Sequence, residues 1–268
     1  MGGNFNSHAY DSLGNLQQKR LSRTLDGTIT AQTIEHTPHC TRPHLLATIG
    51  ANTYTYDAKG NLTGRAGPDV PGGEQLIEYT LFDLPKKVIT GPSATGQTTR
   101  FEYSANEERL VRRDADAKRH FVPELYQRLI SSNGATVEER FALYAGDRPL
   151  GEIVRKNDTD EVLYFHTDRL GTVDTISTST SDVVQQGFDP FGAPLASPGP
   201  EVTRAGFTGH QHDRDLGLID MRGRVYDPFA SRFATPDPVT QAPYWSQGLN
   251  RYAYVFNDPS IIRIRAGL

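Results

Sequence analysis

The chain carries one short phrase twice, and this repeat limits what it can fold into. "YDSLGNL" begins at Tyr10 and "YDAKGNL" begins at Tyr56. The aromatic residue favours a strand, the aspartate can accept N–H groups of the following turn, and the glycine admits positive φ. The leucine then starts a return strand, so each phrase predicts a β-hairpin. The turn residues of the two hairpins are Asp11, Gly14, Asn15, Asp57, Gly60 and Asn61.

Less complete copies of the phrase recur along the chain. Phe82-Asp83 and the stretches "FEYSANEERL" (101–110), "YFHTDRLGTV" (164–173) and "GFDPFGAPL" (187–195) keep parts of the same frame. A single hairpin cannot bury its apolar face, so successive hairpins must join into a long antiparallel sheet that curls as it twists. The repeats therefore predict an all-β chain.

The sequence gives few indications of secondary structure other than strands. Helical periodicity is short, and only residues 117–130 and 212–218 favour a helix. Residues 64–75 and 196–206 are rich in glycine and proline, which is typical of linkers.

Composition and charge exclude several classes of protein. The net charge of −4 argues against a nucleic-acid partner bound through its phosphates. No apolar run approaches the ~20 residues of a membrane-spanning helix, and the N-terminus lacks the basic and apolar regions of a signal peptide. The single cysteine excludes an intrachain disulfide. No phosphate-binding loop is present, and we expect no cofactor.

One cluster has the residue types of a metal site. The spacing of His36, His39, Cys40 and His44 is compatible with zinc. Prolines within the same stretch interrupt the regular backbone. We therefore predict that the chain holds no metal here.

Other histidines and aromatic residues are weak candidates for a site. No nucleophile motif accompanies His166, His210 or His212, and we expect these side chains to be hydrogen-bonded within a β core. Exposed aromatic rings such as Tyr244 and Trp245 can stack on a sugar. We expect both rings to pack inward, with carbohydrate binding as the alternative.

The repeated phrase resembles the YD repeat of the Rhs family, which includes bacterial polymorphic toxins, shell subunits of insecticidal toxin complexes and the animal teneurins. The C-terminal two fifths are similar to the Rhs repeat-associated core domain. The stretches that carry this likeness are "YFHTDRLGTVDTI", "FDPFGAPL", "GFTGHQHDRDLGLIDMRGRVYDPFASRFATPDP" and "NRYAYVFNDP". They follow the family's order and spacing, so the resemblance covers nearly the whole chain.

The resemblance implies a structural role. In the family, YD hairpins wind into a hollow shell, a core domain plugs one end, and a C-terminal toxin lies inside. For this chain it implies an array of antiparallel YD-repeat hairpins over residues 1–150, capped by a core domain over residues 151–268. The chain is too short to close a shell, so its open sheet edges are expected to pair with a shell partner or a toxin-bearing chain. The resemblance implies export to the cell surface or beyond without a signal peptide, and an orphan fragment would stay in the cytoplasm.

In several relatives the core domain is also an aspartic autoprotease, which cuts just after a D-P-x-G-[LF] motif. Carboxylate catalysis of this kind needs two aspartates that share a proton. The resemblance places Arg224 and Asp237 in the site and the cleavage position at Leu268.

The tail of the chain departs from that motif. The aspartate and proline of the motif are replaced by Ile264 and Arg265, which leaves Asp258 as a substitute carboxylate. We predict a non-enzymatic shell fragment with a degenerate protease site. The alternatives are an aspartic autoprotease that releases a C-terminal toxin, and a cell-surface or carbohydrate-binding module.

Overall fold

The structure is a computed structural model. It describes residues 7–25, 28–93, 95–146, 148–180, 182–195, 202–240 and 242–259.

The first two thirds of the chain form one antiparallel sheet, in which each strand pairs with the next along the sequence. Because consecutive strands pair through short turns, the sheet is a continuous meander, as the repeated hairpins predict. Its seventeen strands are β1 (Ser7–Tyr10), β2 (Leu16–Leu25), β3 (Thr28–Pro38), β4 (Leu46–Ile49), β5 (Asn52–Tyr56), β6 (Leu62–Ala66), β7 (Glu74–Tyr79), β8 (Pro85–Thr90), β9 (Gln97–Tyr103), β10 (Arg109–Arg113), β11 (Ala117–Val122), β12 (Tyr126–Ser131), β13 (Thr136–Ala145), β14 (Arg148–Lys156), β15 (Thr159–Thr167), β16 (Val173–Thr178) and β17 (Val183–Gln185).

The chain after β17 is called the C-terminal part below, and its described residues are 186–195, 202–240 and 242–259. It contains a second, four-stranded antiparallel sheet and short 3-10 turns. The strands are β18 (Gln211–Asp213), β19 (Leu218–Asp220), β20 (Val225–Asp227) and β21 (Arg232–Phe233), and the turns are Phe207–Gly209, Ser246–Leu249 and Tyr254–Asn257.

The large sheet curls so that one face covers the C-terminal part. Leu216, Leu218 and Val225 of that part share a core cluster with strand residues from β3 to β9. A second cluster joins Ala205 to residues of β14, β15 and β16. The aromatic residues of the C-terminal part form a third cluster, which includes Tyr226. The structure thus confirms the all-β fold and the curled array of hairpins.

Both predicted helices are wrong. Residues 117–130 form β11 and most of β12, which pair in register with each other and with β10 and β13. Residues 212–218 span the end of β18, a turn with Gly217 at φ +61°, and the start of β19. In both stretches the hydrogen bonds of neighbouring strands outweigh a weak local preference for helix.

The predicted linkers are only partly correct. Residues 64–75 include the end of β6 and the start of β7, so only the segment between these two strands is a loop. Of residues 196–206, the first six lie outside the described residues. Ala205 forms a β-bridge with Gln211. The predicted division of the chain at residue 150 stays a prediction, and β14 runs through that position.

The third repeat is aligned three residues earlier than the sequence suggested. Thr80, not Asp83, takes the place of the turn aspartate, because its Oγ1 accepts the N–H of Leu84 at 3.1 Å. Asp83 takes the place of the turn glycine and has φ +61°. Aspartate tolerates this conformation better than most residues, which explains how the frame survives without a glycine.

Candidate functional site

The two complete YD phrases fold into the same turn. Asp57 Oδ1 accepts the backbone N–H of Asn61 at 2.8 Å, and its Oδ2 accepts the Asn61 side-chain N–H at 3.1 Å. Asp11 makes the corresponding two bonds to Asn15, both at 2.8 Å. Gly14 and Gly60 have φ of +76° and +96°. The aspartate carboxylate therefore links the first and last residues of each turn by hydrogen bonds.

Both turns rest on the C-terminal part. Asn257 donates a side-chain N–H to the carbonyl of Gly14 at 2.7 Å, and the hydroxyl of Tyr252 donates to the carbonyl of Gly60 at 2.9 Å. Asn250 Nδ2 donates to Asn15 Oδ1 at 3.0 Å. These bonds join residues more than 190 positions apart in the sequence. The YD turns are thus contact points for the C-terminal part as well as hairpin connections.

Two glycines test this contact. A Cβ at Gly60 would lie 2.2 Å from the Tyr252 hydroxyl oxygen, whereas a Cβ at Gly50 would meet nothing within 4 Å. Both glycines have positive φ, so each alanine costs about 1–2 kcal/mol of backbone strain. Gly60→Ala also disturbs the contact with Tyr252, and we expect it to lower the free energy of unfolding by at least about 1 kcal/mol more than Gly50→Ala. Urea denaturation of the two variants measures this difference, and equal losses would contradict the role of the turn.

Buried ion pairs fasten the C-terminal part to the inner face of the sheet. Arg65 of β6 contacts Asp227 at 2.6 Å, and Lys19 of β2 contacts Asp189 at 2.6 Å. Each of these four side chains is at most 3% exposed. In both pairs the strand supplies the cation and the C-terminal part supplies the carboxylate. Because an unpaired charge at these positions would be costly, the pairs fix where the C-terminal part sits.

The largest of these networks is centred on Asp213. Arg109 and Arg112 of β10 donate to its two carboxylate oxygens at 2.7 and 2.9 Å, and Arg204 also contacts it. Burial alone would raise the pKa of Asp213, but the three guanidinium groups hold that pKa well below its usual range. The carboxylate is therefore ionised at neutral pH and is shared by both parts of the chain.

Arg140 of β13 centres a further buried network. It donates to Glu138 at 2.6 Å, to Glu152 of β14 at 2.9 Å and to the carbonyl of Val202 at 2.8 Å. Burial opposes ionisation of Glu138, but the hydrogen bond from Arg140 lowers the pKa of Glu138 to about 2. Sequence reasoning missed all of these networks. The sequence did contain one signal for these networks. Several strands carry arginine at positions whose side chains lie on the inner face of the sheet.

The structure brings Arg224 and Asp237 together. Their side chains form an ion pair with Nη2 to Oδ2 at 3.0 Å, and the Arg224 guanidinium lies 3.7 Å from the centre of the Phe233 ring. Burial lowers the pKa of Arg224, and the Asp237 charge opposes that effect. Asp237 Oδ1 also accepts the N–H of Val239 at 2.9 Å. Asp237 thus serves the turn that an Asp-Pro step favours, in addition to its ion pair.

Asp258 lies beside the first YD turn. Burial and then the Asp258 charge raise the pKa of Tyr10 to about 12. The Tyr10 hydroxyl donates to the carbonyl of the neighbouring Asn257 at 2.9 Å. Asp237 instead contacts Arg251 through its backbone, with its N–H 2.8 Å from the Arg251 carbonyl. Leu268 and the substituted Ile264 and Arg265 lie outside the described residues.

The other candidate residues are separated by their surroundings. Within the described ranges no group of three or more His, Cys, Asp and Glu side chains could hold a metal ion. His36 is buried, whereas Cys40 is exposed. His212 is buried and accepts the N–H of Phe207 at 2.9 Å. His166 is exposed and contacts the Ser177 hydroxyl, so the expectation of a core position is wrong for His166.

The expectation that the aromatic pair packs inward is also wrong. Tyr244 is fully exposed and Trp245 is 49% exposed. The Trp245 ring touches the ring of Phe256 with centroids 5.1 Å apart. The proline and glycine around this stretch keep it in turns at the surface, where Tyr244 has no core to enter.

Comparison with known proteins identifies the family. The family model described as "Teneurin YD-shell" matches residues 44–260, which include one complete YD phrase, most of the sheet and most of the C-terminal part. The chain belongs to the teneurin YD-shell family. Within the described residues of this YD-shell chain, no helix is long and apolar enough to cross a membrane.

Two curated relatives of the YD-shell chain are bacterial. It is 29% identical over 255 residues to the toxin protein Tse5 of Pseudomonas aeruginosa, a match that covers 82% of this chain and 19% of Tse5. It is 26% identical over 217 residues to the tRNA nuclease WapA of Bacillus subtilis, covering 78% of this chain and 8% of WapA. The YD-shell chain therefore spans less than a fifth of the length of either relative.

Solved structures share its fold. The TcdB2-TccC3-Cdc42 crystal structure matches with a TM-score of 0.78 and 18% identity, over 98% of this chain and 13% of that chain. The Photorhabdus luminescens Tc holotoxin pore matches with the same TM-score, identity and coverage. At this identity the likeness establishes the YD-shell fold and leaves the chemistry to the residues of this chain.

Proposed function

We propose that this chain is a non-enzymatic segment of a YD shell within a toxin-delivery protein. The observation that carries the proposal is the buried contact between the curled sheet and the C-terminal part. Ion pairs from β2, β6 and β10, and hydrogen bonds that the C-terminal part donates to both YD turns, hold that part against the inner face. In such an arrangement the curled sheet is the wall of the shell, and the C-terminal part supports it from the inside.

A longer shell and its cargo are part of this proposal. The relatives named as a toxin (Tse5) and as a tRNA nuclease (WapA) are several times longer than this chain. Within the described residues, β1 and β17 each pair with one strand only, so further shell strands can add to those edges. We propose that the complete assembly encloses a toxin and delivers it outside the cell. The core domain of that shell begins near residue 151 in this proposal and includes the C-terminal part.

A self-cleaving aspartic protease is the second candidate. It is favoured by the Arg224–Asp237 ion pair, which has the residue types and the thirteen-residue spacing of the cleaving relatives. The opposing argument is chemical. Asp237 needs a second carboxylate with which to share a proton, and the motif position that supplies it in relatives is Ile264. We propose that the site is degenerate for this reason.

Intact mass of a tailed chain separates the two candidates. We expect the native sequence, extended past Leu268 by a neutral tail, to keep that tail during incubation. The matched variant Ile264→Asp with Arg265→Pro restores the motif and is expected to lose the tail after Leu268. Asp237→Asn in the restored chain should abolish this loss. Circular dichroism of each sample verifies that the chain is folded.

Each outcome of that experiment has a definite meaning. A native chain that sheds its tail, and stops doing so after Asp237→Asn, is an active protease and contradicts the non-enzymatic proposal. Loss of cleavage in that chain after Asp258→Asn would identify Asp258 as the second carboxylate. A native chain that keeps its tail while the restored chain loses it supports a shell segment with a lost catalytic carboxylate.

A further inference from the structure

The buried ion pair of Lys19 and Asp189 holds an amine directly against a carboxyl group. Lys19 lies on β2 and Asp189 lies in the turn after β17, so the contact joins the two ends of the large sheet. Lys19 Nζ is 2.6 Å from Asp189 Oδ2, with the side chains 1% and 0% exposed. Among the described residues Oδ2 accepts no hydrogen bond of ordinary geometry. The ammonium group therefore lies in close contact with the carboxylate, but without the N–H geometry of an ordinary hydrogen bond.

The two oxygens of Asp189 have different environments. Oδ1 accepts the backbone N–H groups of Phe191 and Ala193 at 2.8 and 3.0 Å. The turn aspartates Asp11 and Asp168 bind two backbone N–H groups in the same way, and in a reaction at Cγ of Asp189 these donors would also stabilise negative charge on Oδ1. Oδ2 has no such donors and faces the amine. The carboxyl group is thus held with one oxygen stabilised and the other free to leave.

The surroundings exclude water and favour loss of charge. The Phe191 ring centroid lies 5.6 Å from Lys19 Nζ, and the His8 ring packs edge-on against Phe191 at 5.1 Å. Ser231, 2% exposed, accepts a hydrogen bond from Nζ at 3.1 Å. Burying two opposite charges away from water costs free energy unless both are well hydrogen-bonded. An uncharged product of the two groups in the same space would remove that cost.

We propose that Lys19 and Asp189 join in an intramolecular isopeptide bond. One ammonium proton passes to Oδ2, and the neutral Nζ attacks Cγ while an electron pair moves onto Oδ1. A second proton moves from nitrogen to Oδ2, the Cγ–Oδ2 bond breaks, and one water molecule leaves. The amide keeps one N–H, so ammonium and carboxylate give amide and water with no oxidant or co-reactant.

The positions of the reacting groups support this reaction. A buried amine held against a fixed carboxyl group has a very high effective concentration, which replaces much of the activation that such a condensation needs in water. In the product, the amide oxygen keeps the two N–H groups that now bind Oδ1. The remaining amide N–H can keep the Ser231 hydroxyl as its acceptor. Every hydrogen bond that surrounds the pair therefore has a partner in the product.

The bond would close the curled sheet covalently. Strands β1 and β17 are not paired with each other among the described residues, and the ends of the sheet are held through side chains. An amide between β2 and the turn after β17 would keep these ends together under force or denaturant. This property is independent of whether the core domain cleaves the chain.

Mass spectrometry of the purified full chain tests the proposal. We expect the folded protein to be lighter than its sequence mass by one water molecule. Tryptic digestion should give one branched peptide in which Lys19 is joined to the segment that contains Asp189. Lys19→Met and Asp189→Ala should each restore the sequence mass. Lys59→Arg removes the lysine of an exposed ion pair with Asp83 and should leave the mass deficit unchanged.

The branched peptide is the decisive observation, because an aspartate that cyclises to a succinimide also loses water. A folded native chain at its full sequence mass overturns the proposal. A lighter native chain whose Lys19 peptide is unbranched overturns it as well. Since both readings come from the native chain, the proposal stays testable even if a variant does not fold.

Discussion

The Asp213→Ala variant is expected to lose about 3–5 kcal/mol of its free energy of unfolding. The substitution removes the carboxylate shared by Arg109, Arg112 and Arg204, which are all buried. It also weakens the contact between β10 and the C-terminal part, because Asp213 lies on β18. Urea denaturation followed by circular dichroism measures the loss.

An exposed ion pair provides the matched control. Asp160 accepts two hydrogen bonds from Arg155 at 2.7 and 2.8 Å, but both side chains are 44% exposed. Asp160→Ala should therefore cost far less than Asp213→Ala, since water solvates the arginine that remains. Both aspartates pair with arginine, but Asp213 is buried and binds three guanidinium groups, whereas Asp160 is partly exposed and binds one. Equal losses in the two variants would refute the role assigned to Asp213.

The repeat made the hairpins predictable because its information is local. An aromatic residue, an aspartate and a glycine within seven positions specify a strand end and a turn, as at Tyr56, Asp57 and Gly60. The same frame was misplaced at the third repeat, where Thr80 replaces the aspartate and Asp83 replaces the glycine. There the hydrogen-bonding function is kept while the residue type changes, so matching letters gave the wrong alignment.

The contacts inside the curl were not predictable in the same way. Arg65 and Asp227 are 162 residues apart, and Lys19 and Asp189 are 170 apart. A charged residue in a strand ordinarily indicates a solvated face. Only the closure of the sheet around the C-terminal part makes these positions internal. Arg224 and Asp237 could be paired from the sequence because both occupy positions of a family motif. Local secondary-structure propensity did not contribute to that prediction.

Two buried histidines are expected to make the fold sensitive to acid. Burial, followed by the charge of Arg232, lowers the pKa of His36 to about 3. Burial, followed by the charge of Arg214, lowers the pKa of His212 to about 3 as well. Each ring stays neutral in the folded state, whereas in the unfolded chain it binds a proton near its ordinary pKa of about 6.5. As pH falls from about 6.5 toward 3, the unfolded chain gains protons that the folded chain does not, so stability is lost.

Variants of these histidines separate acid sensitivity from packing. The two ring nitrogens of His36 have no hydrogen-bond partner among the described residues, whereas His212 Nε2 accepts the N–H of Phe207. His36→Leu should therefore preserve the free energy of unfolding at pH 7 within about 1 kcal/mol. It should also retain on the order of 4 kcal/mol more stability than the native chain between pH 6.5 and pH 3.

His212→Leu should flatten the acid loss in the same way, but it should also destabilise the chain at pH 7 because the Phe207 N–H loses its acceptor. The exposed His166→Leu should change neither quantity. Urea denaturation at a series of pH values measures all three variants. If His36→Leu loses stability on acidification as steeply as the native chain, protonation of His36 does not drive acid unfolding. The buried carboxylates, whose pKa values are lowered by arginine, would then be the groups that set the acid limit of this fold.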